Sequence, residues 1–333
     1  MRVRHLLVLV VILLLHSHAY AGPGFRLLQA PDPGSKDITF GLWYPTAVAA
    51  PDAPNTRFGH ALAVDAPFTQ TRHPLVLLSH GYSGWYGGHA DLAMALANAG
   101  YLVAAPSHTG NHFADMSSSV DQWAVDRPRH ISATLDFLLQ YDLTRDVIDA
   151  SRIGVYGFSA GGFTALSLIG AVPDFDHASE QCQESPSEFV CAEGMIDVML
   201  NAKVDALPAS AWGHDPRIRA AAIAAPGLAF AYSEESLADV SVPVQLWSAM
   251  NDHSVPHESN ALPLSERLPS PVETHWVDNA SHFAFIIIPC RPAFEKADPE
   301  EYKMVCGDAD GFNRREFLQS MAKDMIRFFD ESL

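Results

Sequence analysis

The feature that most constrains the fold is a regular alternation of short apolar segments with helical ones. The apolar segments are typical of buried strands and cover residues 74–79, 101–106, 152–157, 218–224, 242–247 and 272–277. The helical segments cover residues 90–99, 129–140, 161–169 and 312–329. Strands that alternate with helices favour a mostly parallel central sheet flanked by helices on both faces. The predicted fold class is therefore α/β.

The remaining segments predict one domain with an insertion. Residues 25–28 and 38–44 are predicted strands, and the proline-rich stretch 47–72 is a predicted surface loop. Residues 173–216 are irregular and too long for an ordinary loop, so we expect a cap or lid there. Residues 22–333 are thus expected to form a single domain that carries this lid-like insertion.

The N-terminus has the pattern of an export signal. Two arginines lie within the first four residues, an apolar run covers residues 6–15, and a small-x-small site ends at Ala21. Ten helical residues span only about 15 Å, whereas the apolar core of a bilayer is about 30 Å thick. A membrane span is therefore disfavoured. We expect a signal peptide over residues 1–21 and a periplasmic or secreted mature protein.

The charge balance argues against nucleic acid as a partner. The chain has 21 Lys plus Arg against 39 Asp plus Glu, which gives a formal net charge of −18. A surface of that sign repels phosphate backbones and anionic lipids.

The four cysteines are Cys182, Cys191, Cys290 and Cys306, and no two of them form a C-x-x-C pair. In an oxidising compartment an even number of cysteines indicates disulfides, and four cysteines allow three connectivities. We favour the local pairing of the first two and of the last two, because both loops are short. Each bond would stabilise the fold by about 2 to 3 kcal/mol. Four buried free thiols are the alternative.

The strongest chemical motif is the hexapeptide GFSAGG at residues 157–162, between a predicted strand and a predicted helix. This is the context in which G-x-S-x-G forms a sharp strand-to-helix turn. Side chains in place of the glycines would collide in such a turn. Ser159 would then stand at the carboxyl edge of the sheet as a nucleophile. A solvated serine in a glycine-rich turn is the alternative.

A serine hydroxyl needs a base within hydrogen-bond reach, and the base needs a third group that orients it. In hydrolases with this turn the chain order is Ser, then Asp or Glu, then His. Asp252 follows the predicted strand 242–247, and His282 follows the last predicted strand. They are the candidate acid and base.

Other residues could take either role. His253 and His257 lie close to Asp252 in sequence, but they follow the strand of the acid rather than the final strand. Asp278 precedes His282 by only four residues and is expected to share its loop. Three further carboxylates follow an earlier strand: Glu234, Glu235 and Asp239.

An oxyanion hole requires two backbone N–H donors. The amide of Ala160 lies at a helix start, where N–H groups lack intrahelical acceptors. The second donor should come from the loop HGYSG at residues 80–84, after the strand 74–79, and Tyr82 is the candidate. A simple strand-ending turn is the alternative for this loop.

These motifs resemble those of α/β-hydrolases and, within that superfamily, of dienelactone hydrolases and secreted platelet-activating factor acetylhydrolases. The resemblance covers most of the chain and is weakest over residues 173–216. It rests on residues 40–45, 78–81, 157–162 and 281–283. It implies an α/β-hydrolase fold and a serine carboxylic ester hydrolase that works through an acyl-enzyme.

Two departures limit what this resemblance implies about substrates. Dienelactone hydrolases use cysteine as the nucleophile, where this chain has Ser159. The acetylhydrolases take their acid from an earlier strand end, where this chain has Pro226 and Gly227. Neither family's substrate therefore carries over.

Aromatic residues crowd the motifs and indicate an apolar binding site. Trp85 follows the oxyanion loop, Phe158 precedes the nucleophile and Phe283 follows the candidate base. If they face the cleft, they favour apolar acyl or lipid-like esters. Packing in the core is an equally good interpretation.

No cofactor or metal is expected. His108 and His112 have i, i+4 spacing, but the chain has no H-E-x-x-H and a loop is predicted between them. An amidase or peptidase with the same three residues and a non-catalytic binding module are the competing functions.

Overall fold

The computed structural model describes residues 22–33, 35–287 and 290–333. The predicted signal peptide, residues 1–21, lies outside them. The strands are β1 (Gly22–Ala30), β2 (Ile38–Thr46), β3 (Ala63–Val64), β4 (His73–Ser79), β5 (Leu102–Pro106), β6 (Ile148–Phe158), β7 (Ile218–Ala224), β8 (Val244–Ala249) and β9 (Val272–Val277). The helices are α1 (Ala90–Asn98), α2 (Val120–Gln140), α3 (Ala160–Leu168), α4 (Phe175–Glu184), α5 (Phe189–Ala192), α6 (Met195–Asn201), α7 (Ala261–Arg267), α8 (Pro292–Ala297), α9 (Pro299–Cys306) and α10 (Arg314–Ser332).

One mixed sheet organises the described residues, in the order β3-β1-β2-β5-β4-β6-β7-β8-β9. Strands β4 to β9 pair in parallel, whereas β2 is antiparallel to β1 and β5. Ser79 is in register with Gly157, and Phe158 with Ala224. The chain therefore leaves β4, β6 and β7 at neighbouring points of the same edge.

The sheet is covered on both faces by buried apolar side chains, which explains its near-continuous hydrophobic strands. On one face α2 contributes Ile131 and Leu135, and α3 contributes Phe163 and Leu166. On the other face α1 and α10 supply the cover, for example through Leu96 and Met325, which form part of a second cluster. This arrangement confirms the predicted three-layer architecture.

Helix α2 begins at Val120, nine residues before the predicted start at residue 129. The difference arises at Pro128, which lacks an N–H and usually breaks a helix interior at a cost of about 3 kcal/mol. Here the first half of the helix buries Trp123, Ala124 and Arg127, so tertiary packing offsets that cost. At the N-terminus of α2, Gln122 Oε1 accepts from the backbone N–H of the N-cap residue Ser119 at 3.2 Å.

The insertion at residues 173–216 folds into α4, α5, α6 and two 3₁₀ turns between α3 and β7. Phe175, Met199 and Trp212 are each at most 2% exposed and join the core cluster on the face of α2 and α3. Asp174 caps α4 by accepting from His177 N at 2.9 Å. The insertion thus has its own packed base, and its role as a lid stays a prediction.

Two disulfides join Cys182 to Cys191 and Cys290 to Cys306, with Cα separations of 5.4 and 5.9 Å. This is the local pairing predicted from the sequence. The first bond links α4 to α5 inside the insertion, and the second links Cys290, just before α8, to the end of α9. Among the described helices, none is both long and apolar enough to cross a membrane.

Replacing Cys182 and Cys191 by alanine should lower the free energy of unfolding by about 2 to 3 kcal/mol, because the open loop gains entropy in the unfolded chain. Urea unfolding without reductant measures the change. The matched control is the Cys290→Ala/Cys306→Ala pair, where a similar or slightly larger loss is expected because its loop is longer. An unchanged unfolding midpoint and slope in the first pair would contradict the prediction.

Candidate active site

Ser159 lies in a sharp turn between β6 and α3, with φ 54° and ψ −120°. This conformation is strained for a non-glycine residue. The turn requires its glycines: a Cβ on Gly157 would lie 2.0 Å from Gly161 O, and one on Gly161 would lie 2.0 Å from Ser79 O. The sharp strand-to-helix turn predicted from the sequence is confirmed.

Three side chains meet at this edge of the sheet. His282 Nε2 lies 3.0 Å from Ser159 Oγ, and His282 Nδ1 lies 2.7 Å from Asp252 Oδ2. Asp252 and His282 are 5% and 7% exposed, while Ser159 is partly open to solvent. The hydroxyl, the imidazole and the carboxylate thus form one hydrogen-bonded chain, although they are far apart in sequence.

The second oxygen of Asp252 is also bonded. Its Oδ1 accepts from Ser254 N at 2.9 Å and from Val255 N at 2.7 Å, in the loop after β8. These bonds fix the plane of the carboxylate and aim Oδ2 at the imidazole. The arrangement is that of a group which orients a histidine.

The other candidates for acid and base lie elsewhere. His253 and Asp278 are exposed. His257 is buried with its Nδ1 3.1 Å from Ser248 Oγ and its ring against Trp276. Near the nucleophile, the loop after β7 provides a backbone contact instead of a carboxylate, since Gly227 N donates to Ser159 O at 3.0 Å.

Aromatic rings enclose the imidazole. The Phe158 and His282 ring centroids are 5.0 Å apart, and the Phe283 ring stands perpendicular to His282 at 5.1 Å. Phe158 is only 3% exposed, so its ring supports the imidazole and has little surface left for a substrate. Phe283 and Trp85 are half-buried.

The loop after β4 lies directly against the nucleophile. A Cβ on Gly81 would lie 3.4 Å from Ser159 Cβ, so Gly81 borders the nucleophile. On the other side, Ala160 begins α3, and its N–H has no intrahelical acceptor. Both candidate oxyanion donors therefore belong to segments that meet at Ser159.

The insertion is attached beside the acid. Asn260 Nδ2 donates to Glu188 Oε2 at 3.2 Å, and Asn260 Oδ1 accepts from Ala229 N at 3.1 Å. Glu188 is 3% exposed, and its burial, together with the Asp252 carboxylate, raises its pKa. One buried carboxyl group of the insertion thus lies near the acid of the site.

A buried polar cluster at the loop 80–84 was not among the predicted site residues. It contains Arg127, fully buried, whose burial lowers its pKa to about 9. It also contains His80 and His108, whose pKa values burial and the nearby Arg127 cation hold well below the usual range. The sequence does carry a signal, since Arg127 stands four residues before Ile131, on the buried face of α2.

The two histidines with i, i+4 spacing lie in different surroundings. His108 is buried with Nε2 2.9 Å from Ser79 Oγ, whereas His112 lies in the surface loop and pairs with Asp115 through its backbone. Within residues 22–33, 35–287 and 290–333, no group of three or more His, Cys, Asp or Glu is placed to hold a metal ion.

No protein-family model matches the chain. Two cutinases of Thermobifida alba, est1 and est2, are each 24% identical to it over 222 residues, which is 66% of this chain. The match covers 56% of est1 and 55% of est2, so the chain spans about half the length of these curated relatives. The structure of a ferulic acid esterase from Streptomyces cinnamoneus matches with a TM-score of 0.64 at 20% identity, over 94% of this chain and 90% of that one. The chain has the α/β-hydrolase fold, as predicted.

The buried histidines predict a loss of stability in mild acid. Burial lowers the pKa of His89 to about 3 and that of His130 to about 4. Below about pH 6.5 these histidines are therefore protonated in the unfolded chain but stay neutral in the folded one. The contribution of these histidines to the free energy of unfolding is fully present above about pH 6.5. It falls as the pH drops toward 4, by up to about 1.4 kcal/mol per pH unit for each histidine.

Urea unfolding at several pH values between about 7.5 and 5 measures this slope. Carboxylates such as Asp149 and Glu273, whose pKa values are lowered to about 2, change the free energy of unfolding only at lower pH. His89→Gln should reduce the slope of the unfolding free energy against pH by the equivalent of about one bound proton. The exposed control His253→Gln should leave this slope unchanged. A free energy of unfolding that stays constant from about pH 7.5 to 5 would contradict the prediction.

Proposed function

We propose that this protein is a serine carboxylic ester hydrolase that works through an acyl-enzyme. The observation that carries the proposal is the hydrogen-bonded chain from Ser159 through His282 to Asp252. The similarity to two cutinases and the fold shared with a ferulic acid esterase support the same reaction class.

In the proposed mechanism neutral His282 takes the proton of Ser159 as the hydroxyl attacks an ester carbonyl. Asp252 holds the proton of the imidazole on Nδ1, so that Nε2 is free to accept. The tetrahedral oxyanion is bound by the amides of Tyr82 and Ala160. His282 then protonates the leaving alcohol, and water, activated by the same imidazole, releases the acyl group. None of these steps requires a cofactor.

The surface beside the oxyanion loop supports apolar acyl or lipid-like esters as substrates. Tyr82, Phe113 and Met116 are 39%, 66% and 41% exposed. Phe113 N donates to Gly84 O at 3.2 Å, and the Phe113 ring meets Trp85 at 5.7 Å, which fixes the loop against the oxyanion turn. Exposed apolar side chains beside this loop favour substrates with apolar chains.

Export is part of the proposal. Two disulfides, the predicted signal peptide over residues 1–21 and the similarity to cutinases support a periplasmic or secreted enzyme. The finer resemblance to dienelactone hydrolases and platelet-activating factor acetylhydrolases stays a prediction. The oligomeric state is left open.

The first test removes the nucleophile. Ser159→Ala should keep the fold and lower kcat by about 10⁴-fold or more, because the acyl-enzyme cannot form. Hydrolysis of a p-nitrophenyl ester and stoichiometric labelling by a fluorophosphonate measure the effect. Asp252→Asn should reduce kcat by up to about 10⁴-fold through loss of the required tautomer. The exposed Asp278→Asn is the matched control with unchanged activity.

Undiminished hydrolysis by a folded Ser159→Ala variant would refute the proposal. A wild-type protein that is neither labelled nor active would favour a binding module instead. Comparing an ester with its matched amide separates an esterase from an amidase or peptidase, and we expect the ester to react faster.

The second test concerns the apolar surface. Phe113→Ala should raise KM for long-chain p-nitrophenyl esters by about 3- to 10-fold and leave acetate hydrolysis unchanged, because about 1 kcal/mol of apolar contact is lost. The matched control is Leu143→Ala, since Leu143 is 44% exposed but precedes β6, at the opposite edge of the sheet. A KM for long-chain esters in the Phe113 variant that equals the wild-type value would exclude this surface from substrate binding.

A further inference from the structure

The imidazole of His80 is 3% exposed, and both of its nitrogens are engaged at the turn after β4. Nε2 receives the backbone N–H of His108 at 3.1 Å, and Nδ1 lies 2.7 Å from Gly81 O. A backbone N–H can only donate, so Nε2 must be the acceptor, and the single proton of the neutral ring lies on Nδ1. His80 therefore donates to the carbonyl of Gly81.

That carbonyl belongs to the same peptide unit as the N–H of Tyr82. The described chain contains no cis peptide bond, and in a planar trans peptide the C=O and N–H point in opposite directions. Gly81 O also accepts from Gly84 N at 3.1 Å. Two donors on the interior side of the turn thus fix the direction in which Tyr82 N–H points.

Arg127 restrains the preceding peptide. Its Nη2 donates to His80 O, and its Nη1 donates to Asn111 Oδ1 at 2.6 Å. Its Nε donates to Thr164 Oγ1 at 3.1 Å, and Thr164 Oγ1 in turn donates to Ala160 O at 3.0 Å. One guanidinium group therefore links the loop after β4 to the first turn of α3, the two segments that carry the candidate oxyanion donors.

We propose that His80 is a positioning residue for the oxyanion hole: its Nδ1–H holds the Gly81–Tyr82 peptide so that Tyr82 N–H faces the oxyanion formed at Ser159, and Arg127 keeps the loop in register with α3. The inference rests on the proposed function. It requires the neutral form of His80, because a protonated Nε2 would oppose the N–H of His108. Burial, with the nearby Arg127 cation, lowers the pKa of His80 well below its usual range and keeps the ring neutral.

Three substitutions distinguish the roles of the two ring nitrogens of His80. In His80→Asn the side-chain amide occupies the position of Nδ1 and can still donate to Gly81 O. In His80→Gln a polar group reaches the position of Nε2 but the donor at Nδ1 is lost, and His80→Ala removes both. The matched control is His73→Ala, at the opposite end of β4, where a buried imidazole likewise has Nδ1 2.7 Å from a backbone carbonyl, that of Gly100.

We expect kcat for a p-nitrophenyl ester to fall by about 10- to 100-fold in His80→Ala and His80→Gln, less than the loss of a donor itself. His80→Asn should keep kcat within about 5-fold of the wild type, and KM should stay nearly constant, because the interaction acts only in the transition state. Affinity for a boronic acid, whose tetrahedral adduct on Ser159 resembles that state, should fall in parallel with kcat. His73→Ala should lose stability and keep kcat.

Equal kcat in His80→Asn and His80→Gln, or in His80→Ala and His73→Ala, would overturn the inference. If His80→Ala does not fold, the comparison of the Asn and Gln variants decides alone. Labelling of Ser159 by a fluorophosphonate in the wild type distinguishes the two failures. Without labelling or hydrolysis the proposed function fails, whereas an active wild type with unaffected His80 variants contradicts only the role of His80.

Discussion

The strained backbone of Ser159 is the constraint on which the rest of the site depends. A residue at φ 54° costs about 1 to 3 kcal/mol and persists only where its surroundings determine it fully. Here β7 and the loop after it restrain both sides of the serine: Ser159 N donates to Ala224 O at 3.0 Å in β7, and Gly227 N in the following loop donates to Ser159 O at 3.0 Å. The hydroxyl therefore stands at the sheet edge because two neighbouring strands and a helix leave its backbone no relaxed alternative.

Much of this arrangement could be predicted from the sequence because its signals are local. Strands β7 and β9 match their predicted bounds, since each is a short run of suitable residues between turns. Because these strands are predicted to be parallel, the loops after β6, β8 and β9 are expected to lie at the same edge of the sheet. That topological argument predicts that Ser159, Asp252 and His282 lie together at this edge, and in the structure His282 lies 3.0 Å from Ser159 and 2.7 Å from Asp252.

Other features depend on contacts between segments that are distant in sequence, so the local sequence pattern predicts them poorly. The sequence predicts that α2 starts at residue 129, yet the helix begins at Val120 and continues through Pro128, because Trp123 and Arg127 are buried by elements elsewhere in the chain. The partners of Arg127 are Ser79, His80, Asn111 and Thr164. Only the assembled fold brings these groups together, so a pattern in one segment could not reveal them. The packed base of the insertion, including Trp212, depends on tertiary contacts in the same way.

A buried arginine is usually paired with a carboxylate, because an isolated charge in a protein interior is expensive. None of the hydrogen bonds that Arg127 makes within the described residues goes to a carboxylate; its acceptors are hydroxyl, amide and carbonyl oxygens. The lowered pKa of about 9 reflects that burial. Under the proposed mechanism, negative charge develops beside the loop that Arg127 holds, and a carboxylate partner would oppose it. Neutral acceptors satisfy the donors of the guanidinium and leave its positive charge uncancelled, and under the proposed mechanism that charge favours the oxyanion that forms beside this loop.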